Sequence, residues 1–231
     1  MRYQTFKNQV RDYPIITGGL LNWLGEDERV LRNQLSRWNK QGLIVQLKRG
    51  LYLLNRNDRA KDPSRFFLAN QLVFPSYVSL ESALSYYHLI PEAVYQVTSV
   101  TTGKPLQYVS PEGSYVFRHV KESLFFGFDT IRDERGFEVF MAAPEKALLD
   151  FFYLNLSQFS PTDADIFSES YRFLGQEILQ PRRLVEYASR FASKKLQQIV
   201  QLFIKVYFTR KAHARRHSKA SVAGPAARRE Y

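Results

Sequence analysis

Apolar residues recur along this chain with two different periods, and the change between them divides it. Near the start, Tyr3, Phe6 and Val10 recur at helical spacing within residues 2–11. Thr17 is placed to cap a short helix over 18–24, with Leu20, Leu21 and Leu24 as its apolar side. The clearest stripe follows. Glu26, Asp27 and Glu28 suit the positive end of a helix, Leu31, Leu35 and Trp38 recur on one face, and Gly42 supplies a left-handed stop. Two short apolar runs, 43–47 and 51–54, are joined by Lys48-Arg49-Gly50, which predicts a hairpin with a basic tip. Residues 55–63 have no large apolar side chain and read as a linker.

Beyond the linker the pattern predicts a helix from Pro63 to Leu72 and a break at Pro75. A short extended piece at Tyr77-Val78 follows, then a helix from Leu80 to about His88 capped by Ser79 and stopped by Pro91. From Tyr95 the period falls to two. Val97 to Thr102 alternates and is rich in β-branched residues, and 115–120, 123–128 and 137–141 read as further strands. Short glycine-containing connections predict an antiparallel sheet. Pro144 opens a helix filled by Ala147, Leu148, Phe151, Phe152 and Leu154, and 160–208 reads as helical with a break at Gln180-Pro181. The expected fold class is α+β: an N-terminal winged helix-turn-helix over 1–56, then a mixed domain over 63–208 with a small antiparallel sheet and several helices. A disordered basic tail is expected over 209–231, where aromatics vanish until Tyr231.

The outer face of the striped helix carries Arg29, Arg32, Asn33, Ser36, Arg37 and Lys40. A cationic outer face is commonly just a solvated one. Here the order helix, turn, helix, basic hairpin matches a groove-docking arrangement. Arg and Asn suit base edges, and Ser, Lys and the hairpin cations Lys48 and Arg49 suit phosphates.

Charge sharpens this reading. The net charge is +11 over 231 residues, unevenly placed. Residues 1–62 hold 12 Lys+Arg against 6 Asp+Glu, residues 63–209 hold 14 against 15, and residues 210–231 hold 7 against 1. Basicity confined to one module and a tail is the pattern of nucleic-acid binding by that module. The chain has no cysteine, which excludes a disulfide scaffold, a zinc-thiolate site and a cysteine nucleophile, and agrees with a cytoplasmic setting. The first residues contain no apolar signal core, and the most apolar late stretch, 196–208, is too short and polar to span a membrane.

Catalytic patterns are weak. His213 and His217 stand four apart, but in a low-complexity tail, and His88 and His119 have no metal-ligand pattern around them. Gly113-Ser114 and Asp163-Ala164-Asp165 have nucleotidyltransferase-type residues but lie far apart in sequence. A nuclease would need converging carboxylates and a lysine, with only Glu138, Glu145, Lys146 and Asp150 as candidates. Adjacent helical residues point about 100° apart, so Glu145 and Lys146 do not converge. The expectation is a non-enzyme without cofactor or metal.

Four segments together resemble a known family. They are Lys48-Arg49-Gly50-Leu51-Tyr52, residues 77–86 (Tyr-Val-Ser-Leu-Glu-Ser-Ala-Leu-Ser-Tyr), Ile90-Pro91-Glu92, and residues 143–150 (Ala-Pro-Glu-Lys-Ala-Leu-Leu-Asp). In matching order over about residues 1–208 they resemble the AbiEi antitoxins of type IV abortive-infection toxin–antitoxin systems, a group tied to phage defence. The resemblance implies an autorepressor whose N-terminal domain binds double-stranded operator DNA with inverted repeats. It also implies a C-terminal domain that counters a cognate nucleotidyltransferase-like toxin. The basic tail departs from the family pattern. The specific segments read physically as core: Leu80, Ala83, Leu84 and Tyr87 share one helical face, as do Ala147, Leu148, Phe151 and Phe152. Two other readings stand beside this one. Convergence of Glu138, Glu145 and Asp150 would indicate a DNA-targeted nuclease, and a closed apolar pocket in 63–208 would indicate a ligand-sensing transcription factor.

Overall fold

The computed structural model describes residues 1–209, so the tail expectation and its two histidines lie outside the described residues. The fold is α+β, with one small antiparallel sheet and one larger mixed sheet. Among the described residues, contacts divide the chain into two compact units, 1–83 with 93–143, and 84–92 with 144–209.

The first unit opens with α1 (Tyr3–Val10), β1 (Ile16–Thr17), α2 (Gly18–Trp23) and α3 (Glu28–Lys40), followed by the hairpin β2 (Ile44–Lys48) and β3 (Leu51–Leu54). Thr17 accepts the Leu20 amide at 3.3 Å and so caps α2. Asp27 accepts the Val30 amide at 3.0 Å and caps α3. The far end of α3 closes as a Schellman motif: the Leu43 amide reaches the Trp38 carbonyl at 2.9 Å and the Gly42 amide reaches Asn39 at 3.1 Å. Gly42 sits at φ +69°, a conformation that costs a residue with a Cβ. The three strands pair in the order β1-β3-β2, all antiparallel. Phe6, Val10, Ile16, Leu21, Leu31, Leu35, Trp38, Ile44, Tyr52 and Leu54 form one buried cluster beneath them.

The same unit contains a six-stranded sheet built from β4 (Ser76–Val78), β5 (Gln96–Thr101), β6 (Leu106–Ser110), β7 (Gly113–His119), β8 (Phe128–Arg132) and β9 (Glu138–Ala142). Its order is β6-β7-β5-β4-β9-β8. An antiparallel sheet was expected here, but two pairings, β5 with β7 and β4 with β9, are parallel. The cause is topological. β6 turns back at Pro111-Glu112, and the returning strand β7 inserts between β6 and β5. β6 had no strand signal of its own, since its edge position leaves Leu106 and Val109 exposed. The strand expected over 123–128 is also corrected. Residues 122–124 form a 3₁₀ turn, Gly127 takes φ +71°, and the strand begins at Phe128. Phe125 and Phe128 are used instead for packing, 5.0 and 4.6 Å from the ring of Tyr77.

Two helices clamp this sheet with side-chain hydrogen bonds. In α4 (Arg65–Leu72), capped by Ser64, Asn70 Oδ1 accepts the Phe140 amide at 2.8 Å. Ser79 and Ser82, at the start of α5 (Leu80–Tyr86), lock onto Thr98. The Thr98 amide donates to Ser82 Oγ at 2.8 Å, the Ser82 amide to Thr98 Oγ1 at 3.0 Å, and Thr98 Oγ1 to the Ser79 carbonyl at 2.8 Å. The family-like segment over 77–86 thus has a folding role: Leu80, Ala83 and Leu84 are buried, and its serines satisfy buried backbone groups.

The segment 55–63, expected to be a linker, is anchored at both ends. The Tyr3 hydroxyl donates to Asp58 at 2.6 Å, and Lys7 pairs with the same carboxylate at 3.0 Å. Arg59 is buried with its guanidinium on Glu112, at 3.1 and 3.3 Å. Asp62 accepts from Arg135 and forms an ion pair with Arg59. The boundary between the compact units accordingly does not fall at 56–63.

In the second unit, α6 (Pro144–Leu154), α7 (Pro181–Ser189) and α8 (Lys194–Ile204) surround an aromatic core. Phe152 lies 4.9 Å from Phe159 and 5.7 Å from Phe203, and Phe173 lies 5.6 Å from Phe203. Residues 160–180 were expected to be helical. They form only short 3₁₀ and π turns, because this stretch must dip Phe167 and Phe173 into the aromatic core. Gly175 adopts φ +59°, with the His88 carbonyl oxygen 3.0 Å from where a Cβ would stand.

Candidate nucleic-acid interface

α3 presents two unlike faces. Leu31, Leu35 and Trp38 are buried. Arg29, Arg32, Asn33, Ser36, Arg37 and Lys40 are all exposed. The separation follows from the 3.6-residue period, and the helix termini reinforce it: acidic Glu28 lies in the first turn, and Arg37 and Lys40 in the last. Arg32 forms an ion pair with Glu28 one turn back, in a largely exposed setting. Such pairs contribute only tenths of a kcal/mol, about 0.3–0.5, so Arg32 can exchange Glu28 for another partner at little cost.

The hairpin is held against the end of α3 by Asn39, whose Oδ1 accepts the Gln46 amide at 3.0 Å. Its turn is Arg49-Gly50, with Gly50 at φ +78°. Both tip cations were expected to project outward. Only Arg49 does. Lys48 is half-buried, and its ammonium donates to the Leu72 carbonyl at 2.7 Å. That carbonyl belongs to the last residue of α4, where a cation also meets the negative end of the helix dipole. Lys48 is therefore a tether, a role hidden from local sequence because its partner lies 24 positions away.

The carboxylates weighed for catalysis are each engaged locally. Glu138 is exposed and 3.9 Å from Arg132. Glu145 accepts the Gln180 amide at 2.8 Å and lies 3.8 Å from Arg183. Asp150 is fully buried against Lys146, whose ammonium also lies 5.1 Å from the Phe191 ring centre. Burial lowers the Lys146 pKa, and the Asp150 charge opposes that shift. Asp163 caps the turn that follows it, accepting the amides of Asp165 and Ile166 at 3.2 and 3.3 Å. Among the described residues no group of three or more His, Cys, Asp or Glu is placed to hold a metal ion. An open cleft lined by Ala60, Lys61, Asp62, Arg135, Gly136 and Phe137 carries three charged side chains, unlike the closed apolar pocket a ligand sensor would use.

Among the described residues no helix is long and apolar enough to cross a membrane. No protein-family model matches the chain, and no curated protein matches it significantly.

Proposed function

We propose that this protein is a sequence-specific double-stranded DNA-binding autorepressor and antitoxin, with α3 as the major-groove reader and the β2–β3 hairpin as its wing. The observation that carries the DNA reading is the outer face of α3. Six polar or cationic side chains stand exposed on one rigid helix, over a buried apolar stripe, in a module holding 12 Lys+Arg against 6 Asp+Glu. The element order α1-β1-α2-α3-β2-β3, with the sheet order β1-β3-β2, supports a winged helix-turn-helix. In this reading Arg32, Asn33 and Arg37 face base edges from mid-helix, while Arg29, Ser36, Lys40 and Arg49 hold the phosphates. Antagonism of a nucleotidyltransferase-like toxin rests on the sequence resemblance over 77–86, 90–92 and 143–150, and the mostly buried 77–86 and 143–150 act as scaffold rather than contact surface.

The test is binding to a duplex selected from a randomised pool, measured by fluorescence anisotropy beside a scrambled duplex of equal length. The wild type should discriminate by roughly 10³-fold or more, and Arg32→Ala/Asn33→Ala/Arg37→Ala should remove most of that preference. Equal affinity for both duplexes rejects sequence-specific reading. Co-expression with a nucleotidyltransferase-like toxin encoded beside this gene tests the antitoxin half, which falls if full-length protein gives no relief of growth arrest.

A further inference from the structure

Three acids lead into α3, and two of them have structural partners. Glu26 pairs with the N-terminal ammonium at 3.2 Å. Asp27 caps the helix through the Val30 amide at 3.0 Å. Glu28 is different. It is the first helical residue, its side chain is 81 % exposed, and its carboxylate meets the guanidinium of Arg32, itself 63 % exposed. Helical spacing places Glu28, Arg32 and Ser36 in one row, beside the row of Arg29, Asn33 and Arg37. All six are exposed. A carboxylate therefore stands on the face that the DNA reading turns toward the groove. Like charge repels it from every phosphate it approaches, and it neutralises Arg32 as well. On such a face it lowers affinity for DNA at large, unless a base edge offers it a donor.

We infer that Glu28 is a specificity-determining residue that reads a cytosine in the major groove, and that Arg32, released from it, reads a nearby guanine. This rests on the DNA-binding reading above. Cytosine presents its N4 amine as a donor, which a carboxylate accepts, whereas thymine presents the O4 acceptor, which repels it. Guanine presents O6 and N7 to an arginine fork. Recognition helices meet base edges with their N-terminal residues, which is where Glu28 and Arg32 stand. A step of four helical residues rises about 6 Å, and base pairs stack about 3.4 Å apart, so the two bases lie within about two base pairs of each other. On DNA without them Glu28 stays on Arg32. It then withholds that cation from the phosphates and adds a like charge of its own. Discrimination comes from both sides, a donor met at the right site and a repulsion at the wrong ones.

The experiment selects duplexes from a randomised pool with full-length wild type, Glu28→Ala and Glu28→Gln. Each protein is then measured by anisotropy on the wild-type consensus, on that duplex with each cytosine replaced in turn by thymine, and on a scrambled duplex over a range of salt. One cytosine, within about two base pairs of a guanine, should cost the wild type roughly tenfold or more on replacement, and Glu28→Ala less than about twofold. Glu28→Gln should move the selected base at that position to adenine, which a glutamine amide reads through two hydrogen bonds. Both variants should bind the scrambled duplex more tightly, with a salt slope steeper by about one unit, because Arg32 is then free for phosphate. Their thermal midpoints should match the wild type closely, since the exposed pair contributes only about 0.3–0.5 kcal/mol to the helix. The same consensus selected by wild type and Glu28→Ala overturns the cytosine contact and leaves the α3 reading intact, even where scrambled-duplex affinity rises. Unchanged or weaker binding of the scrambled duplex by Glu28→Ala also overturns the inference, because Glu28 then neither repels phosphate nor holds Arg32 back. Failure of the wild type to bind any duplex removes both readings.

Discussion

Replacing Arg59 by Ala tests whether the N-terminal helical module and the six-stranded sheet fold as one body. The Arg59 side chain is 2 % exposed, and that of Glu112 is 10 % exposed. Two hydrogen bonds of 3.1 and 3.3 Å make the pair bidentate. Removing one partner of a buried pair costs about 3–5 kcal/mol, because the other charge stays buried without compensation. Here Arg56, 72 % exposed and 3.8 Å from Glu112, offers a partial replacement. An exposed substitute of that kind recovers at most about 1 kcal/mol, so the expected loss is about 2–4 kcal/mol. With a mid-range urea slope of about 2 kcal/mol per molar, the midpoint should fall by roughly 1–2 M. Intrinsic tryptophan fluorescence is the natural assay. The chain has two tryptophans, of which Trp38 is buried in the N-terminal cluster and Trp23 is exposed. The Trp38 transition should come at lower urea in the variant, ahead of the loss of sheet signal in circular dichroism. Arg59→Met/Glu112→Leu should recover much of the stability, since an apolar pair strands no charge. A midpoint shift below a few tenths molar in Arg59→Ala would refute the reasoning, as would a double variant no better than the single one.

Other outcomes follow from the same accounting. The Tyr3 hydrogen bond, joined by Lys7, holds the Asp58 carboxyl below its usual range. That stabilisation is present above the unfolded pKa, about 3.9, and is lost as pH falls through the lower folded value. Acid titration of stability should therefore be shallower in Asp58→Asn, and identical acid profiles would remove Asp58 from the account. Arg49→Ala should weaken duplex binding and flatten the salt slope by about one unit. Lys48→Ala should leave the salt slope unchanged and act on thermal stability, so a slope change there would return Lys48 to the phosphates. Asp150→Asn should cost about 3–5 kcal/mol by removing the carboxylate charge beside buried Lys146. Because the folded pKa of that lysine then lies still further below its unfolded value, the stability of the variant should rise with pH toward about 10. A pH-independent loss, followed by chemical denaturation at several pH values, would show that Lys146 is not the group responsible.

Features of this protein that depend on near neighbours were legible in its sequence. The apolar stripe of Leu31, Leu35 and Trp38, the Asp27 and Thr17 caps and the Gly42 stop all act within a turn or two, so a helical period and a few special residues determine α3 and its exposed cationic face. The alternation in 96–101 determined β5 in the same way. What only the tertiary structure decided are interactions between distant positions, which no local period encodes. Lys48 and Leu72 are separated by 24 residues, and Arg59 and Glu112 by 53. Polarity alone made 55–63 look like a linker, because a buried arginine and a solvated one are the same letter until Glu112 arrives. The sheet is mixed in part because β7 lies between β6 and β5 and runs parallel to β5, a pairing between distant strands that no local period encodes. Residues 160–180 lack the expected helix because burying Phe167 and Phe173 in the aromatic core outweighs regular backbone hydrogen bonding in a segment broken by Pro161 and Gly175.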